Sequence, residues 1–244
     1  MEEHTGPVLA VRAIPDGLNC AIAACLTSAE GRTFVKGVRT QCTKAHAAQR
    51  WEVAVNPHVR TVGPRLLWQV TAEGWDLLGF EYIDGRHADL SRGSPDLPLV
   101  AEALHAAQDL GVPYVLGVPW FADRWAPYLD ATELALLGGE TLLHTDTNPH
   151  NLLVAHDRAH LVDWAMPALG PAWVDVACTA VRLMEADCAA DEALSWAARF
   201  PSWRAADPTA LRAFVTANRR QWESRVGRAA ARHSNARFAA LLRG

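Results

Sequence analysis

The sequence predicts an α+β fold in two lobes, a small antiparallel sheet followed by a larger and mostly helical part. Three observations carry that reading. Short apolar runs punctuated by turn residues fill the first eighty positions. Apolar residues recur at helical spacing from Leu97 to Leu110, and everything beyond Val174 is rich in Ala and Arg. Between these regions, Asp84-Gly85 and Ser91-Arg-Gly-Ser-Pro95 have loop composition, which sets the lobes at 1–83 and 84–244.

Taken in order, Val8 to Ile14 and Ala21 to Leu26 read as strands joined by the turn-rich Pro15-Asp16-Gly17-Leu18-Asn19. Ser28 to Gly31 turns the chain into a third strand, Thr33 to Val38. Thr43 caps a helix from Lys44 to about Val55, which Asn56-Pro57 is expected to end. Leu66 to Val70 and Trp75 to Ile83 form a hairpin across Thr71-Ala-Glu-Gly74. In the second lobe, the helix from Leu97 stops at Gly111-Val-Pro113, and another spans Ala131 to Leu137 before Gly138-Gly139. Thr141 to His144 is a short strand, and Leu152–Val154 and His160–Val162 make a hairpin. The helical remainder breaks near Pro201 and Pro208.

A chain of 244 residues buries roughly 70–75% of its unfolded surface and needs no covalent staples. There is no run of eighteen apolar residues, and the first residues, Met-Glu-Glu-His, are acidic and polar, so neither a membrane span nor a secretory signal is expected. The five cysteines are scattered and odd in number, which fits a reducing cytoplasm. A net charge of −4 argues against a nucleic-acid partner. Charge is uneven, +5 over residues 176–244 and −9 before them, with the C-terminal Arg residues at the spacing of a solvated helix face.

Chemistry concentrates near the middle of the chain. In His144-Thr-Asp146-Thr-Asn-Pro-His150-Asn151 and the later Val162-Asp163-Trp164, three acceptors stand at intervals of five and twelve. Phosphoryl transfer needs such a set: one carboxylate, Asp146, to orient a hydroxyl, and an amide and a second carboxylate, Asn151 and Asp163, to hold Mg²⁺ against ATP phosphates. Pro149 keeps the loop out of helix, because the residue before a proline is pushed from the α region. The imidazoles of His144 and His150 with Asp146 also have zinc-ligand chemistry, but that reading leaves Asn151 and Asp163 without a role. His144 is better read as a packing residue that orients the loop. Of 23 basic side chains only Lys36 and Lys44 are lysines. A Lys kept at Lys36, inside Phe34-Val35-Lys36-Gly37-Val38, asks for a compact ammonium rather than a guanidinium fork.

The run H-T-D-T-N-P-H-N, followed by L-V-D-W and G-P-x-W-V-D, resembles the phosphotransferase loop of the aminoglycoside phosphotransferase family, whose relatives include choline kinases and, more distantly, protein kinases. The resemblance is strong over Leu142–Ala177 and ordered over Gly17–Ile83. It implies the two-lobed protein-kinase-like fold and transfer of the ATP γ-phosphoryl group (GTP being an alternative donor) to a hydroxyl of a small molecule. It implies Asp146 as base, Asn151 and Asp163 as Mg²⁺ ligands, and Asp175 as a brace for the loop. In the first lobe it implies that Gly17 and Asn19 lie over the phosphates and that Lys36 pairs with Glu52 to hold them. Backbone groups between Glu81 and Ile83 would bond adenine. A turn glycine and a solvated helix glutamate would equally suit Gly17 and Glu52 taken singly.

Thr145 stands where many protein kinases place Arg, and only eleven residues separate Asp163 from Asp175, which disfavours a regulated protein kinase. The expected acceptor is an antibiotic or related secondary metabolite. A metabolite kinase for choline, homoserine or a sugar shares every motif, and a nucleotide-binding pseudokinase is the rival from another class. Glu185, Asp187, Asp191 and Glu192 either attract a cationic substrate or form a solvated helix face. Trp120, Trp125, Trp173, Trp196, Trp203 and Trp222 either fill the core or wall the substrate cleft. The protein is expected to be a cytoplasmic monomer or homodimer.

Overall fold

Alternation of apolar residues along the first third of the chain builds one antiparallel sheet. The computed structural model describes residues 2–14 and 20–243. After a short helix α1 (Glu2–Thr5) come β1 (Val8–Ala13), β2 (Ile22–Ser28), β3 (Gly31–Arg39), β4 (Leu66–Ala72) and β5 (Trp75–Glu81), in the order β1-β2-β3-β5-β4. Successive side chains of a strand point to opposite faces. In β3 this sends Val35 to a small core with Leu26 and Trp68, while Phe34 and Lys36 face a cleft on the other side. Gly79 is required here, because a Cβ on it would meet the Trp68 ring at 2.0 Å.

Helix α2 (Thr43–Val59) covers the sheet and corrects the expectation that Asn56-Pro57 ends it: Pro57 lies inside its last turn. Proline disfavours helix interior positions, but here Val55 and Val59 on either side are wholly buried. The Asn56 amide also bonds Pro64 O at 2.9 Å and accepts from Leu66 N at 2.8 Å. Tertiary packing therefore outweighs the local breaker. The fifth strand stops at Glu81 rather than Ile83.

The second part comprises β6 (Arg86–His87), α3 (Asp96–Gln108), α4 (Ala131–Ala135), β7 (Thr141–Leu143), β8 (Leu152–Ala155), β9 (Arg158–Leu161), β10 (Ala168–Gly170), α5 (Trp173–Glu185), α6 (Ala190–Ala197), α7 (Pro201–Arg204) and α8 (Pro208–Ala240). Asp130 caps α4 in a reciprocal box with Glu133. Pro201 and Pro208 open helices rather than interrupting one, as suits a residue with no N–H to donate. Gly227, at φ 80° and ψ 160°, breaks α8 internally. Strands β6 and β10, two and three residues long, were too short to show alternation; they pair with β8 and β7.

A single core built around Phe121, Phe200 and Phe214 fills the second part and takes in Val55, Val59 and Val62 from α2 and its exit. At that seam Leu161 N donates to Val62 O at 2.7 Å. Gly63 permits the approach, since a Cβ there would lie 2.5 Å from Leu161 O. The linker is also tied down: Arg86 Nη2 bonds buried Asp96 Oδ1 at 2.7 Å, joining β6 to the start of α3. Trp125, Trp173, Trp196 and Trp203 are core, whereas Trp120 is 41% exposed. Among the described residues no helix is long and apolar enough to cross a membrane.

Candidate active site

A cleft of about 420 Å³ separates the five-stranded sheet from the loop after β7. Ala23, Phe34 and Phe80 line it from the sheet, with Lys36 and Glu52; Asp146, Asn148, Asn151, Leu153 and Asp163 line it from the other side. Glu81, Tyr82 and Ile83 edge it where the chain leaves β5. The Glu81 N–H is already spent on Arg65 O at 2.9 Å. Gly17 and Asn19 lie outside the described residues.

Lys36 is the electrostatic centre of the cleft. Its Nζ stands 2.7 Å from Glu52 Oε2 and 2.6 Å from Asp163 Oδ1, and its side chain is almost wholly buried. Burial pulls the ammonium pKa down, yet the two carboxylates outweigh it and the net shift is upward. Burial pushes Glu52 up, with Lys36 opposing. One ammonium is thus shared by two carboxylates, leaving the trio with an excess negative charge that suits a site meant to gain a cation.

The loop that carries Asp146 is over-determined. Buried Asp175, in the first turn of α5, accepts from His144 N at 2.7 Å and Thr145 N at 2.8 Å. Burial pushes its carboxyl up, and His144 and these two N–H bonds resist. Thr145 has φ 66°, a left-handed conformation that the paired N–H bonds hold in place. His144 accepts from Asp146 N at Nδ1 (3.3 Å), so the proton sits on Nε2, which donates to Val162 O at 2.9 Å. Its ring packs edge-on against Trp164 at 4.7 Å between centroids. The imidazole ties the loop to the strand leading to Asp163. It does not converge with others on a metal, and no group of three His, Cys, Asp or Glu able to hold one exists among the described residues.

Asp146 itself is partly exposed to the cleft and aimed by amides. Asn148 Nδ2 donates to its Oδ1 at 2.9 Å, and Asn151 Nδ2 to its Oδ2 at 3.2 Å and its main-chain O at 3.0 Å. With its nitrogen so committed, Asn151 has its carbonyl oxygen left for a cation. Val162 N bonds Asn151 O at 2.9 Å, which holds the segment before Asp163 against Asn151. An amide oxygen and a carboxylate are hard donors that fit Mg²⁺, an ion that takes few protein ligands beside phosphate oxygens.

Sequence reasoning missed several members of this set. Asn148 signalled itself only as the residue before Pro149, yet it aims Asp146 and caps the 3₁₀ turn 149–151 through His150 N at 2.8 Å. Thr179 Oγ1, wholly buried, donates to Asp175 O at 2.8 Å and shares a hydrogen bond with Thr147 Oγ1 at 2.8 Å, which pins the loop to α5. Arg182 Nη2 lies 3.7 Å from Asp146 Oδ1. No local pattern marks a contact made across 36 residues. None of the four carboxylates from Glu185 to Glu192 lines the cleft. Glu185 is paired with Arg182 at 2.7 Å and Glu192 with Arg92 at 2.8 Å, and Asp187 and Asp191 are exposed.

Comparison with known proteins bears on the family and the fold. The model of the phosphotransferase enzyme family matches residues 97–214, as the motif led us to expect. No curated protein sequence matches the chain. Among solved structures, the choline kinase LicA from Streptococcus pneumoniae superposes with a TM-score of 0.60 at 11% identity, covering 97% of this chain and 94% of that one. Its complex with AMP gives 0.57, also at 11% identity, over 97% and 92%. The macrolide 2′-phosphotransferase MphH from Brachybacterium faecium gives 0.53 at 18% identity, over 95% and 92%. At such identities the likeness shows the fold, and it is the α+β protein-kinase-like one.

Proposed function

We propose, for a chain whose residues 97–214 carry the phosphotransferase enzyme family signature, that it moves the γ-phosphoryl group of ATP to a hydroxyl of a small molecule with Mg²⁺. The observation that carries the reading is the convergence of Lys36, Glu52, Asp146, Asn151 and Asp163 on one cleft. The apolar walls offered by Ala23, Phe34 and Leu153 suit a purine. The AMP complex of the choline kinase relative adds support for a nucleotide.

In this reading the acceptor oxygen bonds to γ-phosphorus as the bond from γ-phosphorus to the ADP oxygen breaks, and the hydroxyl proton passes to Asp146. Asn148 and Asn151 hold that carboxylate in position, so its contribution is orientation and proton acceptance. Lys36, kept cationic by Glu52, holds the phosphates. Asn151 and Asp163 would hold Mg²⁺, which when bound neutralises charge on the phosphates. The acceptor is a hydroxylated small molecule of the antibiotic or secondary-metabolite kind.

Asp146→Ala tests the reading. Product formation from Mg·ATP, over a panel of hydroxylated compounds, is expected to fall by about a thousandfold or more, with ADP affinity retained. Near-wild-type turnover in that variant would refute the assignment.

A further inference from the structure

One guanidinium reaches Asp146 and a second borders its loop, and neither lines the nucleotide cleft. Arg182, on α5, reaches Asp146 Oδ1 at 3.7 Å and Glu185 Oε2 at 2.7 Å. Arg124, on the 3₁₀ turn 122–125, donates through Nη2 to Met166 O at 3.3 Å. The same carbonyl takes the Thr145 hydroxyl at 2.6 Å, so Arg124 sits beside the loop that carries Asp146. It has no carboxylate within 4.0 Å among the described residues. Burial pulls its pKa down, with Asp175 and Asp146 opposing only from a distance. The thiol of Cys178, within electrostatic reach of both arginines, is pushed up to about 12 by burial and supplies no counter-charge.

A half-buried guanidinium without an anionic partner is costly unless a ligand completes it. Its fork of donors matches a carboxylate or a phosphate in two parallel bonds. Trp120, four residues before Arg124, and Met166, whose carbonyl Arg124 bonds, expose 41% and 43% of their surface, a flat ring and a thioether. The acidic residues that would draw a cation are either neutralised by Arg92 and Arg182 or turned to solvent.

We propose that the acceptor carries an anionic group, a carboxylate or phosphate monoester, which docks on Arg124 and Arg182 while its body lies on Trp120 and Met166 and its hydroxyl meets Asp146. The proposal rests on the phosphotransferase reading and narrows it: the preferred acceptor is neither choline-like nor polycationic.

Calorimetric titration of the ADP-loaded protein tests this with 4-(hydroxymethyl)benzoate, its neutral methyl ester, 4-(hydroxymethyl)phenyl phosphate and choline. At least one anion is expected to bind about tenfold or more tightly than the ester, the worth of one charge-assisted bond; which anion binds better distinguishes carboxylate from phosphate. Arg124→Gln should weaken the anion about tenfold and leave the ester unchanged, with Arg124→Lys restoring part, and Arg182→Gln, on a separate element, should weaken the anion more than the ester. Equal or tighter binding of the ester or choline overturns the proposal, as does anion affinity unchanged in both variants. A wild-type protein that neither binds ADP nor hydrolyses Mg·ATP removes the phosphotransferase reading itself, and this proposal with it.

Discussion

Lys36 and Asp163, separated by 127 positions, meet at 2.6 Å. The pair joins the middle of the sheet to the segment that follows the loop, and Glu52 on α2 closes it from the other side at 2.7 Å. Removing one member of a buried ion pair leaves the others uncompensated. Lys36→Met should therefore lower stability of the nucleotide-free protein by on the order of 3 kcal/mol and abolish measurable ATP binding. Urea unfolding and ADP titration check both. An unaltered midpoint would mean that water already solvates Glu52 and Asp163.

In the proposed reading Asn151 has two jobs that one substitution separates. Asn151→Ala removes the amide oxygen offered to Mg²⁺ and the nitrogen that steadies Asp146. The Mg²⁺ concentration giving half-maximal activity should rise by at least about tenfold, and kcat should fall with it. Asn151→Asp keeps an oxygen donor but sets a like charge against Asp146, so Mg²⁺ dependence should recover while kcat stays low. Steady-state rates across a Mg²⁺ series read both effects.

Asp175 makes its two bonds with the buried end of the loop. Asp175→Asn places an NH₂ against one of two N–H donors, leaving that donor unpaired. A loss of roughly 2 kcal/mol in stability is expected, together with a fall in kcat larger than any change in the KM for ATP. Thermal unfolding and initial rates test it. An unchanged kcat would show that Thr179 alone holds the loop.

Asp96 should set part of the acid stability. Its hydrogen bond to Arg86 holds its carboxyl below the ordinary 3.8. The folded pKa is thus lower than the unfolded one, so unfolding takes up a proton in the window between them. The stabilisation is fully present above pH 3.8 and is lost as pH falls through the folded value. Wild type should exceed Asp96→Asn in stability at pH 6, with the gap closing below pH 3.8. Denaturant midpoints at both pH values measure it, and a gap independent of pH would point to packing instead.

Legibility in the sequence followed the range of the interactions. Strands β2, β3 and β5, the helix α3 and the hairpin of β8 and β9 were readable because alternation, helical spacing and turn residues act within a few positions. The end of α2 was misread because Val55, Val59 and the Asn56 side chain act through distant partners that no local window contains. The core tryptophans were ambiguous for the same reason: burial of Trp125 and Trp173, and exposure of Trp120, depend on what packs over them. The residues around Asp146 divide likewise, with Asp146, Asn151 and Asp163 carried by spacing and Asn148, Thr179 and Arg182 by three-dimensional proximity alone.

From the chain by itself came the chemistry. Three hard acceptors at fixed intervals, one lysine in an arginine-rich chain and only eleven residues between Asp163 and Asp175 suffice to propose a phosphoryl-transfer loop, because the candidate donors to a metal and a hydroxyl sit close together along the backbone. Which charges surround Asp146 was decided only by the tertiary structure. Read in line, the acidic residues from Glu185 to Glu192 left a cation site and a solvated helix face equally open, but folding pairs Glu185 and Glu192 with arginines, brings Arg182 to Asp146 and sets Arg124 beside its loop. Local spacing marks the candidate reacting groups; the net field around them is a sum over elements distant in sequence, and only folding brings those elements together.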